Sequence, residues 1–324
     1  MICQNQGVGT RLALALAVVL AAVVLSGCGD EPSAQSPPPG QSDSTATDVS
    51  APGAQVPARI VALTEEGDVV LIDRETQRAQ TIATFPPRED PEVAAGSFRA
   101  VDVTALPDGR VLLATCCEPA AGHMYALTED GRRLKDQDLF AFDAGHDADG
   151  ARVASGEIMG LVIRPVQHLT SATSTLGLPP GLRGFAPEDI SWSPEANRIL
   201  FTIGGKLAVV DASAGSLVDA TYLEAPAGAH WSGAAYTQDG AVAVEQGGEL
   251  LHPSGSSRLV RVDLETGESA QLVSTKGRIT DLAVDPSGSY LLWVEDGRLR
   301  WLAGAESGTL DGTFVAAGWL TAPA

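Results

Sequence analysis

Positive charge is scarce in this chain. Its 324 residues hold 21 Lys and Arg against 41 Asp and Glu, for a net charge of −20. A field of that sign repels phosphate, which excludes nucleic-acid binding and polybasic attachment to anionic lipid. No apolar run reaches the roughly 20 residues that a membrane-spanning helix needs; the longest is Leu12–Leu25. Catalytic signatures are missing. There is no Gly-x-Ser-x-Gly, so no nucleophile elbow. There is no Cys-x-x-Cys or His-Glu-x-x-His, so no recognisable zinc site, and no phosphate-binding loop or dinucleotide fingerprint. The five His (123, 146, 168, 230 and 252) follow no ligand spacing. Gly at 35 residues is far below a collagen repeat, and 44% apolar content is too high for disorder throughout.

What is present begins with a leader. Residues 1–27 carry one charge, Arg11, followed by the apolar core and then Leu25-Ser26-Gly27-Cys28. A short apolar run with a positive residue before it and small residues after it reads as a signal peptide. The last four residues resemble the lipobox of bacterial lipoproteins. That resemblance implies cleavage before Cys28, acylation of Cys28 (diacylglycerol on sulfur, palmitate-type chains), and anchorage on the extracytoplasmic side of the cell membrane. Two or three acyl chains hold firmly, since each buried methylene contributes about 0.8 kcal/mol. Residues 28–57 form the next region. They hold six prolines, many Ser, Thr, Gln and Gly, and no aromatic. Such a stretch cannot bury enough apolar surface to order itself, so it is expected to be a disordered tether.

The remaining residues, 58–324, show almost no helical periodicity. Short β-branched runs alternate with turn dipeptides: Glu66-Gly67, Asp108-Gly109, Asp130-Gly131, Asp149-Gly150, Asp239-Gly240 and Asp296-Gly297. Hairpin after hairpin means an all-β antiparallel domain. The turns recur. Pro107, Ala148, Pro194, Gln238 and Pro286 occupy equivalent positions at intervals of 41, 46, 44 and 48 residues. A period of about 40–50 residues with four strands per unit is the signature of a β-propeller. Five turn positions give five units. A sixth comes from three strands within 59–85, completed by the run 312–320, which would close the ring. Seven blades would require another unit hidden in 151–185, where the Ser- and Leu-rich stretch 170–183 reads as a long insertion.

The segments 189–211 and 281–301, each a strand, a Pro-centred turn, a second strand and a third ending near an acid or aromatic, resemble the repeats of TolB-like, WD40-like propellers. The resemblance covers most of 59–303. It implies the fold, and by analogy with that family it implies protein–protein interaction.

Antiparallel strands sort the loops by face. Turns between the first and second strands of a blade lie on one face, which we call the turn face. Loops between the second and third strands, and connections between blades, lie on the other, the loop face. Five residues before each turn position stand Asp102, Asp143, Asp189 and Asp281, with Gly233 in the remaining unit beside His230 and Trp231. First strands line the axis of a propeller, so these carboxylates should converge at one mouth. Converging carboxylates repel and raise one another's pKa unless a cation offsets them. Asp102, Asp189 and Asp281 are therefore candidate ligands for a hard cation such as Ca²⁺; the competing expectation is that these acids accept backbone N–H groups. The loop face also carries Cys116-Cys117-Glu118 and His123. Adjacent Cα atoms lie about 3.8 Å apart, below the usual disulfide range of about 4.4–6.8 Å, so a vicinal Cys116–Cys117 bond would close a strained turn; two buried thiols at a strand end fit the sequence equally well. Asp102, Glu118, His123, Asp189, His230, Trp231 and Asp281 make up the expected ligand or partner face.

The reading is a membrane-anchored envelope lipoprotein, expected to be monomeric. Its propeller would be a non-catalytic scaffold for another envelope protein or a ligand. The alternatives are an envelope enzyme, such as a metal-dependent hydrolase or lyase at the acidic mouth, or a sensor module for a membrane signalling partner.

Overall fold

The computed structural model describes residues 57, 59–85, 99–116, 122–250, 252–273 and 275–320. The leader, Cys28, most of the tether, Cys117 and Glu118 lie outside the described residues, as does the side chain of Cys116. Six sheets follow one another along the chain. The first holds β1 (Arg59–Thr64), β2 (Asp68–Asp73) and β3 (Ala79–Thr84). The second holds β4 (Arg99–Ala105), β5 (Val111–Cys116) and β6 (His123–Leu127). The third holds β7 (Asp143–His146), β8 (Arg152–Glu157), β9 (Gly160–Pro165) and β10 (Ser174–Gly177). The fourth holds β11 (Glu188–Trp192), β12 (Arg198–Ile203), β13 (Lys206–Asp211) and β14 (Thr221–Leu223). The fifth holds β15 (Ala229–Thr237), β16 (Gly240–Glu249), β17 (His252–Val262) and β18 (Ser269–Val273). The sixth holds β19 (Ile279–Val284), β20 (Tyr290–Glu295), β21 (Arg298–Ala303) and β22 (Glu306–Leu310). The last strand, β23 (Phe314–Leu320), returns to the first sheet and pairs antiparallel with β1, Ile60 opposite Trp319 and Ala62 opposite Ala317. The expected closure by the C-terminal run is therefore present.

The fold is a six-bladed β-propeller. The innermost strands β23, β4, β7, β11, β15 and β19 pack one on the next around the axis. No seventh blade hides in 151–185: β8, β9 and β10 occupy that stretch and belong to the third blade. The supposed insertion 170–183 contains β10. Its Ser-Thr-Leu-Gly lacks the β-branched density that marks a strand, and it forms because Thr175 and Leu176 find partners on β9.

Period-2 alternation builds the core. In β12, Ile199 and Phe201 pack into the cluster between the third and fourth blades, while Leu200 packs between the fourth and fifth. In β1, Ile60 and Ala62 face the sixth blade, and Val61 and Leu63 face the second. A strand buried on both faces reads as a continuous apolar run. Six such clusters fill the six spaces between blades.

The turns hold themselves. Asp285 accepts backbone N–H groups from Ser287, Ser289 and Tyr290 at 2.7–3.0 Å. Asp147 accepts from Ala151 and Arg152, and pairs with the Arg152 guanidinium at 2.7 Å. The Ser193 hydroxyl accepts from Arg198 at 3.1 Å. Each stands just before the residue that marks the repeat, and each satisfies donors that the turn strands. The second blade has three strands, and its outer edge is covered by single bridges, Met124 to Leu139 and Leu127 to Arg133.

Candidate functional site

The inner strands share a local irregularity. In five of the six, β4, β11, β15, β19 and β23, one extra residue breaks the register with the next strand out. A bulge of this kind leaves a residue unpaired and bends the strand. Asp102, Asp189 and Asp281 sit at or beside these places, and Asp143 stands at the start of β7, whose register is regular. Asp102 accepts the N–H of Val103 at 2.7 Å, and Asp143 that of Ala144 at 2.5 Å. Asp143 also reaches the next blade, where the N–H of Ile190, within the β11 bulge, donates to it at 3.1 Å. Asp281 likewise accepts from Ala317 on β23 at 2.7 Å. Asp189 has a positive φ of 54° and takes the Thr202 hydroxyl at 2.6 Å. The collar thus ties inner strands to one another. In β15 the place is held by Gly233, where a Cβ would meet Val244 Cγ2 at 2.9 Å, so close packing excludes an acid.

The acids feel one another. Burial among the blades pushes Asp143 well above the ordinary carboxylate range, and the charges of Asp102 and Asp189 add to the effect. Burial does the same to Asp281, reinforced by Asp102 and Asp189 and opposed by the Ala317 N–H. Asp189 is pushed up to about 8, by burial first and then by Glu188 and Asp102, against the Thr202 hydrogen bond. Asp102 is raised by burial, while a hydrogen bond from the Asp143 carboxyl favours its charge. Two carboxyls that bond each other need a proton between them.

This chemistry bears on the cation expectation. Among the described residues, no three of His, Cys, Asp and Glu stand close enough to hold a metal ion. Asp102, Asp189 and Asp281 lie on three different blades, and backbone N–H or hydroxyl groups already occupy oxygens of each. Ligands for Ca²⁺ must gather several oxygens around one ion, and among the described residues these three acids are not brought together in that way.

The other candidates separate. Trp231 is 1% exposed and belongs to the core between the fourth and fifth blades, so it is no surface residue. His230 is buried beside it, Nδ1 3.1 Å from the Gly248 carbonyl. His123 stacks on Tyr125 with ring centroids 4.4 Å apart, touches Phe140, and lies 3.7 Å from Asp138. The partners of both His lie within or beside their own blades, so the two do not meet across the ring.

Two features escaped the sequence. On the turn face, a groove of about 910 Å³ separates the first and second blades. Leu71 and Ile72 line it beside Arg59, Arg78, Asp73 and Glu129, and Arg59 pairs with Glu129 across it. On the loop face, large apolar side chains are exposed: Phe140 and Met159 at 72% each, with Ile158, Phe185 and Leu250. The only local signal was Ile158-Met159 standing where a turn should be polar.

No family model and no characterised protein sequence matches the chain. Its fold is similar to solved propellers. The TolB of Acinetobacter baumannii aligns at 15% identity and TM-score 0.56, over 81% of this chain and 66% of that protein, so the chain spans less than two thirds of it. The protein assigned as TolB in Agrobacterium tumefaciens aligns at 16% identity and TM-score 0.49, over 81% of this chain and 94% of its own. The hydrazine synthase of Kuenenia stuttgartiensis aligns at 15% and 0.48, over 79% and 80%.

Proposed function

We propose that this chain is an envelope lipoprotein, anchored through Cys28, whose propeller is a non-catalytic scaffold for a protein partner on its loop face. The observation that carries the reading is the one-sidedness of the apolar surface. Among the described residues, seven large apolar side chains are exposed. Phe140, Ile158, Met159, Phe185 and Leu250 fall in loops of the loop face; only Val218 lies in a connection of the turn face, and Val101 lies in the β4 bulge. Apolar surface gathered on one side and rimmed by polar residues marks an interaction site. The collar supports the same reading, because its carboxyls are engaged by backbone N–H groups, by the Thr202 hydroxyl and by one another, and so serve rigidity.

Two experiments on the full chain in its native cells test the two halves. A photo-crosslinking residue at Met159 is expected to give a defined adduct, and one at Asp239, on the turn face, none. Equal adducts from both faces, or none from Met159, would remove the scaffold. Cys28→Ala is expected to move the protein from the membrane fraction to the soluble one, and retention would remove the anchor.

A further inference from the structure

The groove of about 910 Å³ between the first and second blades opens where the chain enters the domain. Arg59 is the first residue of β1 and lines the groove, and Pro57, two residues earlier, is half-buried. Pairing sets the wall that the first blade contributes. Arg59 stands opposite Asp73, Leu71 stands opposite Gln80, and the Asp73 N–H bonds the Arg78 carbonyl. Side chains alternate along a strand, so Arg59, Leu71, Asp73, Arg78 and Gln80 share one face. Leu71 packs against the core between the first and second blades, which identifies that face as the one turned to the second blade. β1 and β3 are two strand spacings apart, about 10 Å, which four residues of extended chain cover. A chain that turns back from Arg59 across this face therefore meets Leu71 first and Gln80 next.

The charges of the groove come near to balance, two Arg against Asp73, Glu129 and Asp130. Most are committed: Arg59 to Glu129, Asp73 to Thr76, and Asp130 to Thr128. Among the described residues, the side chains of Arg78 and Gln80 make no hydrogen bond. The groove thus offers an apolar side chain, donors for carbonyl groups, and little net field for a charged ligand. The chain that leads into it has the matching composition. Residues 48–58 hold one charge, Asp48, with Val49, Val56, Pro52, Pro57 and three Ala. Residues 29–47 hold three acids and no Val, Leu or Ile. Every branched aliphatic side chain of the tether therefore lies in the stretch next to the groove.

We infer that residues 48–57 of this chain dock in the groove, Val56 covering Leu71 and the carbonyls around Pro52 meeting Arg78 and Gln80. The prolines favour an extended backbone, lower the cost of ordering it, and bring no N–H that would need a partner. The segment is joined directly to Arg59, so its effective concentration at the groove is on the order of millimolar, and contacts too weak to hold a separate molecule suffice. A second copy or a separate peptide lacks that advantage, and a strongly charged one finds no complement. The seat fixes the direction in which the chain leaves the propeller. It lies on the turn face and is independent of the loop-face scaffold.

The test uses the full chain with a photo-crosslinking residue in place of Ala51. From there an undocked chain could reach about 25 Å from Arg59 in any direction. Intrachain crosslinks, mapped by digestion and mass spectrometry, are expected to concentrate on residues 71–80 and 128–130. The same probe at Ala34 should give none in the groove. Arg78→Ala and Leu71→Ser should each lower the groove crosslink several-fold. Arg78 is exposed, so its substitution should leave Tm unchanged and decides the matter if Leu71→Ser does not fold. Crosslinks spread evenly over the propeller, equal groove crosslinks from Ala34, or a groove crosslink undiminished in Arg78→Ala would each overturn the proposal. A crosslink that joins two copies of the chain, or this chain to another protein, through the groove residues would overturn it too, since the occupant would then be a separate molecule.

Discussion

The two faces of the propeller are built on different plans. The turn face is self-sufficient: Asp285, Asp147 and Ser193 each accept backbone N–H groups of the turn that follows them. The loop face leaves Phe140, Met159, Phe185 and Leu250 turned outward. One face spends its side chains on its own backbone, and the other holds side chains that the fold itself does not use. Five of the seven exposed large apolar side chains lie on the loop face and one, Val218, on the turn face, and the proposed binding role would use the larger group.

That contrast can be broken by substitution. The largest effect is expected for Asp285→Ala, which strands three turn donors and removes a buried charge. A loss of about 3 kcal/mol is expected, read as a fall in denaturation midpoint. If the midpoint holds, the turn acids are ornaments of the face and the contrast fails. Ser193→Ala removes a neutral acceptor and should cost about 1 kcal/mol in the same assay. On the other face, Met159→Ser and Phe140→Ser should each stay within about 0.5 kcal/mol, as surface substitutions do, while abolishing partner adducts. A large destabilisation there would mean that these residues are structural after all.

A further prediction concerns the collar lying between the faces. Asp189 titrates at about 8 when folded, against 3.8 unfolded. The folded state keeps a proton that the unfolded chain releases, so stability is full below the unfolded value and is lost as pH rises through the folded one. Tm should therefore fall between roughly pH 4 and pH 8, and Asp189→Asn should reduce that slope. An unchanged slope in the variant would assign the pH dependence to the other collar acids or to the general negative charge of the chain.

Much of the fold was legible because its signals are local. The turn residues and their near-constant spacing announced five units, and the strands of 59–85 with the run 312–320 announced a sixth that closes the ring. The unread parts were those decided by neighbours. Ser174–Gly177 is a strand only because β9 offers it partners. Trp231, with His230 beside it, was expected on the partner face, yet it packs between two blades, because β15 carries it into the space that the fourth blade covers. The positions of the collar acids were readable from their distance to the turns. Their partners were not, since Asp143 to Ile190 and Asp281 to Ala317 span 47 and 36 residues and exist only once the blades stand side by side.

The amino-acid order alone determined that the domain is β, that it repeats, and which residues turn the chain, because turn chemistry and period-2 burial act over a few residues. Only the tertiary structure decided which apolar side chains are core and which are surface. A Leu in a blade and a Leu at the tip of a hairpin are the same residue in sequence. They differ in whether a neighbouring blade arrives to cover them, and Leu250 and Phe185 are left without that cover.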